Sequence, residues 1–182
     1  MRDQRRFHPV SIFLHWLIFL LFAATLAIIE YRGDLPKGDA LKGPLISAHM
    51  QIGVLIFVLA WVRLFVRRSV GVPPEAQSPA WQQFVAKLVK VLLYAVMFLV
   101  PLLGVLFVQA EDKAVTVLGW TLPSLIAAVP HSALQANLED AHKLLGNLVY
   151  FLVGLHVLGA LWHHFVLRDD VLRRMLPRRW SR

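Results

Sequence analysis

The sequence predicts an all-α integral membrane protein, a four-helix up-and-down bundle with both termini cytoplasmic. Three observations predict it. The composition is 58% hydrophobic and 16% charged, whereas a soluble globule is roughly half apolar and a quarter charged. The apolar residues are clumped into four runs, each long enough for a bilayer that needs about 20 residues. The basic residues gather in segments that an up-and-down path puts on one side. At 182 residues the chain suits one membrane domain, residues 1–182. Cysteine is absent, which excludes disulfides, thiolate metal sites, iron–sulfur clusters and cysteine nucleophiles.

The first span is expected over residues 11–29. Its basic flank resembles the start of a signal peptide, but the apolar run is too long, and the bulky, polar Glu30-Tyr31-Arg32 is no cleavage motif. A retained helix is therefore expected. The second span covers 47–66, the third 84–109 and the fourth 137–167. The fourth exceeds the bilayer and must tilt or extend into water. Polar, Gly- and Pro-containing connections separate them. In the last, Gly119–Leu125 is apolar enough for an interfacial helix or lid.

Orientation follows from counting cations. With a cytoplasmic N-terminus, the inner side holds Arg2, Arg5, Arg6, Arg63, Arg67, Arg68, Lys87, Lys90, Arg168, Arg173, Arg174, Arg178, Arg179 and Arg182, which is 14 of the 19 basic residues. The outer side holds Arg32, Lys37, Lys42, Lys113 and Lys143. The same excess would suggest nucleic acid in a soluble protein, but spread over three membrane-flanking segments it speaks against that partner.

Ionisable residues inside spans need a reason. His15, His49, His142 and His156 all lie on expected helices. His142 and His156 are 14 residues apart, 3.9 helical turns, so they share a face and stand roughly 21 Å apart along the axis. That is too far for one metal ion. Depth pairs His49 with His142 on the outer side and His15 with His156 on the inner side. Two imidazoles per level, without cysteine or clustered carboxylates, suit haem iron; zinc wants three or four ligands in one place. Small residues one turn on, Gly53, Gly146 and Ala160, leave room for a macrocycle, and Gly104, Gly154 and Gly159 add further gaps. His15 is followed instead by Phe19, which could pack on a ring edge. One such histidine alone would read first as a buried imidazole bonded to a neighbouring helix; four, paired by depth with two on one helical face, favour haem.

Two bis-histidine irons would have no open position, which favours electron transfer over O₂ binding. Arg63, Arg67 and Arg68 are placed to meet propionates of an inner haem, and Lys42 and Lys143 those of an outer one. The arginines also satisfy the positive-inside rule without any ligand. His8 and His131 lie outside the spans and read as interfacial or solvated. His163 and His164, at the inner end of the fourth helix, are either an interfacial pair or binding residues.

The sequence resembles the prokaryotic cytochrome b561 family over nearly its whole length. The resemblance is carried by Ser11-Ile12-Phe13-Leu14-His15-Trp16-Leu17, by His49-Met50-Gln51-Ile52-Gly53, and by the fourth-helix run from His142 through Gly154-Leu155-His156 to His163-His164. The tail Asp170–Pro177 matches the family's ending. The resemblance implies a multi-pass inner-membrane protein with two b-type haems, His15 and His156 holding the inner iron and His49 and His142 the outer. It further implies superoxide oxidation at the periplasmic face coupled to ubiquinone reduction. Superoxide is an anion, so Lys42, Lys143 and Arg32 are candidates to steer it. The outer side carries seven acids against five cations, so any cationic funnel must be local. For ubiquinone, His163 or His164 could donate to a carbonyl oxygen, with Trp162 framing the ring.

Two other classes fit parts of the sequence. One is a haem b subunit linking quinone to a periplasmic dehydrogenase or hydrogenase partner. The other is a haem-free structural membrane protein whose histidines only bond between helices. A transporter is disfavoured, because no paired broken spans and no central acids occur.

Overall fold

The computed structural model of the chain describes residues 6–74 and 78–177. Arg2, Arg5, Arg178, Arg179 and Arg182 of the cation count lie outside the described residues. Four long helices form the bundle: α1 (Pro9–Asp34), α2 (Lys42–Val70), α3 (Ala80–Ala110) and α4 (Ala133–Trp162). All four are long and apolar enough to cross a membrane. α1, α2 and α3 exceed their expected spans at both ends, because flanking turns continue the helix beyond the apolar run; α4 starts before its expected span and ends at Trp162, inside it.

Local chemistry explains the helix ends. His8 caps α1, its Nδ1 accepting from the Val10 amide at 3.4 Å, and Pro9 takes the first helical position. Ser132 caps α4 by accepting from the Gln135 amide at 3.2 Å. α2 stops at Gly71, whose φ of 76° suits glycine. α4 does not end cleanly. It runs into one π turn, His163–Leu167, closed by Arg168 in the left-handed region. Such wide turns favour functional places.

Neighbours in sequence are neighbours in space: α1 packs on α2, α2 on α3 and α3 on α4. The core is thin. One cluster joins Ile18, Ile56, Ala60 and Met97, and a second joins Val96, Val149 and Leu152, with Phe22 packed against both. The bundle's outer faces carry Phe13, Phe65, Phe84 and Phe151, each at least 64% exposed. Helices apolar all round with few buried side chains are built for lipid.

The two ends of the bundle differ. At the terminal end the tail crosses back over the start of the chain. Phe7 donates its amide to the Arg174 carbonyl at 3.4 Å, Trp16 Nε1 donates to the Met175 carbonyl at 2.8 Å, and Arg6 donates to the Leu176 carbonyl. At the loop end, of the interfacial helix or lid expected over Gly119–Leu125, the helix is not formed. A small hairpin stands there, β1 (Thr116–Val117) paired antiparallel with β2 (Trp120–Thr121). Its turn residues Leu118 and Gly119 both have positive φ, the hairpin-type turn that glycine permits, and the β-branched flanks favour strand. The buried Gln109 side chain clamps the following loop, donating to the Pro123 carbonyl and accepting from the Leu125 amide, both at 2.9 Å.

Candidate functional site

Two imidazole pairs lie on two levels of the bundle. At the loop end His49 (α2) and His142 (α4) face one another with ring centres 6.2 Å apart and planes at 80°. Toward the terminal end His15 (α1) and His156 (α4) stand 6.0 Å apart at 76°. Both pairs expected from depth are thus brought together. Their common partner is α4, whose 14-residue spacing separates the levels by roughly 21 Å.

The spacing allows a test of the group that fits. A metal–imidazole bond is about 2 Å, and a ring centre lies roughly 1.1 Å behind its nitrogen. One iron between two rings therefore sets their centres about 6 Å apart, which is the separation at both levels. Direct hydrogen bonding between two rings would bring them closer. No group of three or more His, Asp or Glu that could hold a metal ion occurs among the described residues, so a zinc-type cage is not built. Gly53 and Gly146 have nothing within 4 Å of the Cβ they lack. Space therefore lies open beside the outer pair.

Hydrogen bonds fix which nitrogen is available. His142 Nδ1–H donates to the Val100 carbonyl at 2.9 Å. His49 Nδ1–H faces Thr25, with the hydroxyl at 3.0 Å and the carbonyl at 3.3 Å. A carbonyl can only accept, so Nδ1 carries the proton and Nε2 keeps its lone pair for a metal. Gly104 makes this possible. It sits one turn after Val100 on α3, and the His142 ring lies over it on the way to Val100. A Cβ there would meet His142 Cε1 at 3.0 Å and Nδ1 at 3.2 Å. Gly104 is therefore a bearing surface for the His142 ring and not an open gap.

Around the inner pair, Trp16 meets the edge of His15 with ring centres 5.5 Å apart, and Phe19 packs on Trp16 at 5.7 Å. Arg63 Nη1 donates to the Ser11 carbonyl at 3.2 Å, tying α2 to α1 beside His15. A cavity of about 380 Å³ opens beside His156 on the α3 side. Arg67, Trp162 and His163 line it; Arg68 and His164 do not. His163 Nδ1–H donates to Asp169 Oδ2, whereas His164 Nδ1 is buried with no partner among the described residues. At the loop end Lys143 is drawn to Glu139 at 2.7 Å, and Arg32 Nε donates to the Lys42 carbonyl at 3.3 Å.

Sequence reasoning missed Thr25, Asp169 and the carbonyl of Val100. Thr25 is a polar residue inside an apolar span, a signal present in the sequence. A backbone carbonyl that serves as a partner leaves no mark there at all.

A four-helix membrane bundle with facing histidines on α1, α2 and α4 defines a membrane haem b electron-transfer protein. The prokaryotic cytochrome b561 profile matches residues 6–178, and the chain belongs to that family. It is accordingly a multi-pass protein of the bacterial inner membrane and a redox protein. It is 34% identical to cytochrome b561 homolog 1 of Escherichia coli strain K12, covering 97% of this chain and 99% of that protein. It is 29% identical to the probable superoxide oxidase CybB of Yersinia pestis, covering 97% and 98%. It is 28% identical to cytochrome b561 homolog 2 of Escherichia coli strain K12, covering 94% and 91%.

Proposed function

We propose that this cytochrome carries two haems b, oxidises superoxide at the periplasmic face and reduces ubiquinone near the cytoplasmic face. The observation that carries the reading is the pair of imidazole couples, 6.0 and 6.2 Å between centres, stacked along one helix. The cation count supports a cytoplasmic terminal end. His15 and His156 would hold the inner haem and His49 and His142 the outer. Haem held by two imidazoles would supply one-electron carriage at each level.

The residues divide the remaining work. At the periplasmic end Arg32, Lys42 and Lys143 attract the superoxide anion, and each superoxide leaves as O₂ after losing one electron. Glu139 offsets Lys143, so the attraction centres on Arg32 and Lys42. The relative named as a probable superoxide oxidase supports this donor. At the cytoplasmic end the cavity beside His156 receives ubiquinone. Arg67 lines it and remains a propionate partner, together with Arg68 and Arg63. Two electrons and two protons convert the quinone to quinol, and His163, paired with Asp169, is placed to hand over a proton. His164 lies outside this arrangement. Electrons moving inward oppose an inside-negative potential at ~2.3 kcal/mol per charge per 100 mV, so the redox drop must exceed that.

A second reading has one specific support. Leu118 and Trp120 of the loop-end hairpin are 83% and 81% exposed, a surface that could seat a periplasmic redox partner and make the chain a subunit of a larger dehydrogenase. One experiment separates the readings. The chain purified alone in detergent should show two b haems per chain in a pyridine haemochrome assay, and superoxide-dependent ubiquinone reduction. One haem or none overturns the transmembrane relay. Two haems without superoxide-driven turnover favour the subunit reading.

A further inference from the structure

The two connections at the loop end of the bundle are built from different residues. The α1–α2 connection carries Lys37 and Asp39 between Asp34 and Lys42. The α3–α4 connection opens on Glu111, Asp112 and Lys113 and then holds no Asp, Glu, Lys or Arg from Ala114 to Pro130. Its hairpin turn starts on Leu118, at a φ of 50° and 83% exposed. A left-handed turn position favours Asn or Asp. In water a leucine there is disfavoured twice, by backbone strain and by its apolar surface. Trp120, two residues on, is 81% exposed, and Leu125 of the following loop is exposed as well.

The polar groups of the same stretch are paired inside the protein. The Thr116 and Thr121 hydroxyls bond to each other at 3.3 Å, the Leu122 amide donates to the Val115 carbonyl at 2.9 Å, and Ser124 Oγ donates to the Ile126 carbonyl at 2.7 Å. Gln109 takes up the Pro123 carbonyl and the Leu125 amide, and the Val129 amide donates to the Ala110 carbonyl at 2.9 Å. Val115 at the hairpin base is buried, and β1 packs on α2. An apolar tip above a buried base, with its polar groups paired internally, is what a lipid surroundings demands of a chain segment.

We infer that this hairpin is a membrane anchor: Leu118 and Trp120 insert into the head-group zone of the leaflet at the loop end and hold the α3–α4 connection down on the bilayer surface. Three observations favour lipid over a protein as the occupant. The hairpin packs on α2, one of the four helices that cross, so its surface continues one already in lipid. Tryptophan is enriched at the membrane–water boundary. A soluble redox partner is steered and oriented by charge, and from Ala114 to Pro130 the connection has none to offer. The inference needs only the bilayer and stands apart from the superoxide and quinone readings. It gives the hairpin tip a role that excludes the seat for a periplasmic partner.

Because the chain has no cysteine, one can be introduced alone. Leu118→Cys and Trp120→Cys, both at exposed positions outside the core, each carry an NBD fluorophore in the haem-loaded chain in phosphatidylcholine nanodiscs. Lys113→Cys is the aqueous reference, and Phe151→Cys on the outer face of α4 is the lipid reference. The tip labels should emit to the blue of the aqueous reference, toward the lipid one. A nitroxide carried near the lipid head group should quench them, and iodide in the water should quench them far less than the Lys113→Cys label. Adding Trp120→Glu to the Leu118→Cys chain should return the label to water, with the red shift and iodide quenching regained and the Soret band unchanged. Leu125→Cys gives an independent reading should a tip label disturb the haem spectrum. Tip labels that match Lys113→Cys in colour and iodide quenching would overturn the inference. So would a label that stays shielded in the Trp120→Glu chain. Labels open to iodide in nanodiscs but shielded in native membrane vesicles would assign the tip to a protein partner and overturn it too.

Discussion

Gly104→Ala is the sharpest perturbation of the proposed outer haem site. The added Cβ would stand 3.0 Å from His142 Cε1 and 3.2 Å from Nδ1, whereas carbon contacts settle at about 3.5–4.0 Å. The ring must retreat by roughly half an ångström. It is poorly free to do so, because Nδ1 is tied to the Val100 carbonyl at 2.9 Å and Phe107 stacks at 5.4 Å between centres. Metal–ligand distances tolerate only about 0.2 Å. Overpacking of this kind costs about 1–3 kcal/mol, which corresponds to a roughly five- to 150-fold loss of affinity at the outer site. The assay is haem stoichiometry by pyridine haemochrome during detergent dialysis, with a redox titration beside it. The expected result is a fall from two haems toward one, with the inner potential retained. Gly33→Ala is the control, since nothing lies within 4 Å of its missing Cβ. Two tightly held haems with unaltered potentials in Gly104→Ala would refute the bearing-surface argument, and with it the outer ligand role of His142.

Three further outcomes are expected. Thr25→Val removes the hydroxyl 3.0 Å from His49 Nδ1; a less electron-rich imidazole should raise the outer midpoint potential by on the order of 20–40 mV, read by potentiometric titration. Trp16→Phe deletes the 2.8 Å bond to the Met175 carbonyl, a loss of about 1 kcal/mol, and the Asp170–Pro177 amides should exchange about fivefold faster with deuterium. Glu139→Gln frees Lys143 from its 2.7 Å pair, so superoxide oxidation should speed up about two- to threefold at low ionic strength and lose that gain at high salt; a gain that survives high salt would exclude electrostatic steering.

Much of this protein was written in one dimension. A bilayer replaces the tertiary core as solvent for most side chains, so apolar run length alone set the four crossings and the helical class. Histidine depth is also one-dimensional, because a helix advances a fixed rise per residue. That is why His15 with His156 and His49 with His142 could be paired from numbering, and why the family motifs stayed recognisable. Helix ends shifted outward where stretches such as Glu30–Asp34 and Lys42–Gly43 continued the helix past the apolar run, and α4 closed early at Trp162, before the π turn.

What needed the folded chain was contact between segments distant in sequence. The donation of His142 to Val100 over Gly104 depends on how α4 rotates against α3. The separation of His163, lining the cavity and bonded to Asp169, from His164, which does not line it, depends on a π turn that no local pattern announces. A hairpin at Leu118-Gly119 stands where an interfacial helix or lid was expected, because two positive-φ residues and a clamping Gln109 outweighed the helical option. The sequence by itself determined which residues lie at which depth, because the membrane fixes depth through hydrophobicity. The tertiary structure decided which of them face one another, because azimuth and crossing angle are set by packing between helices.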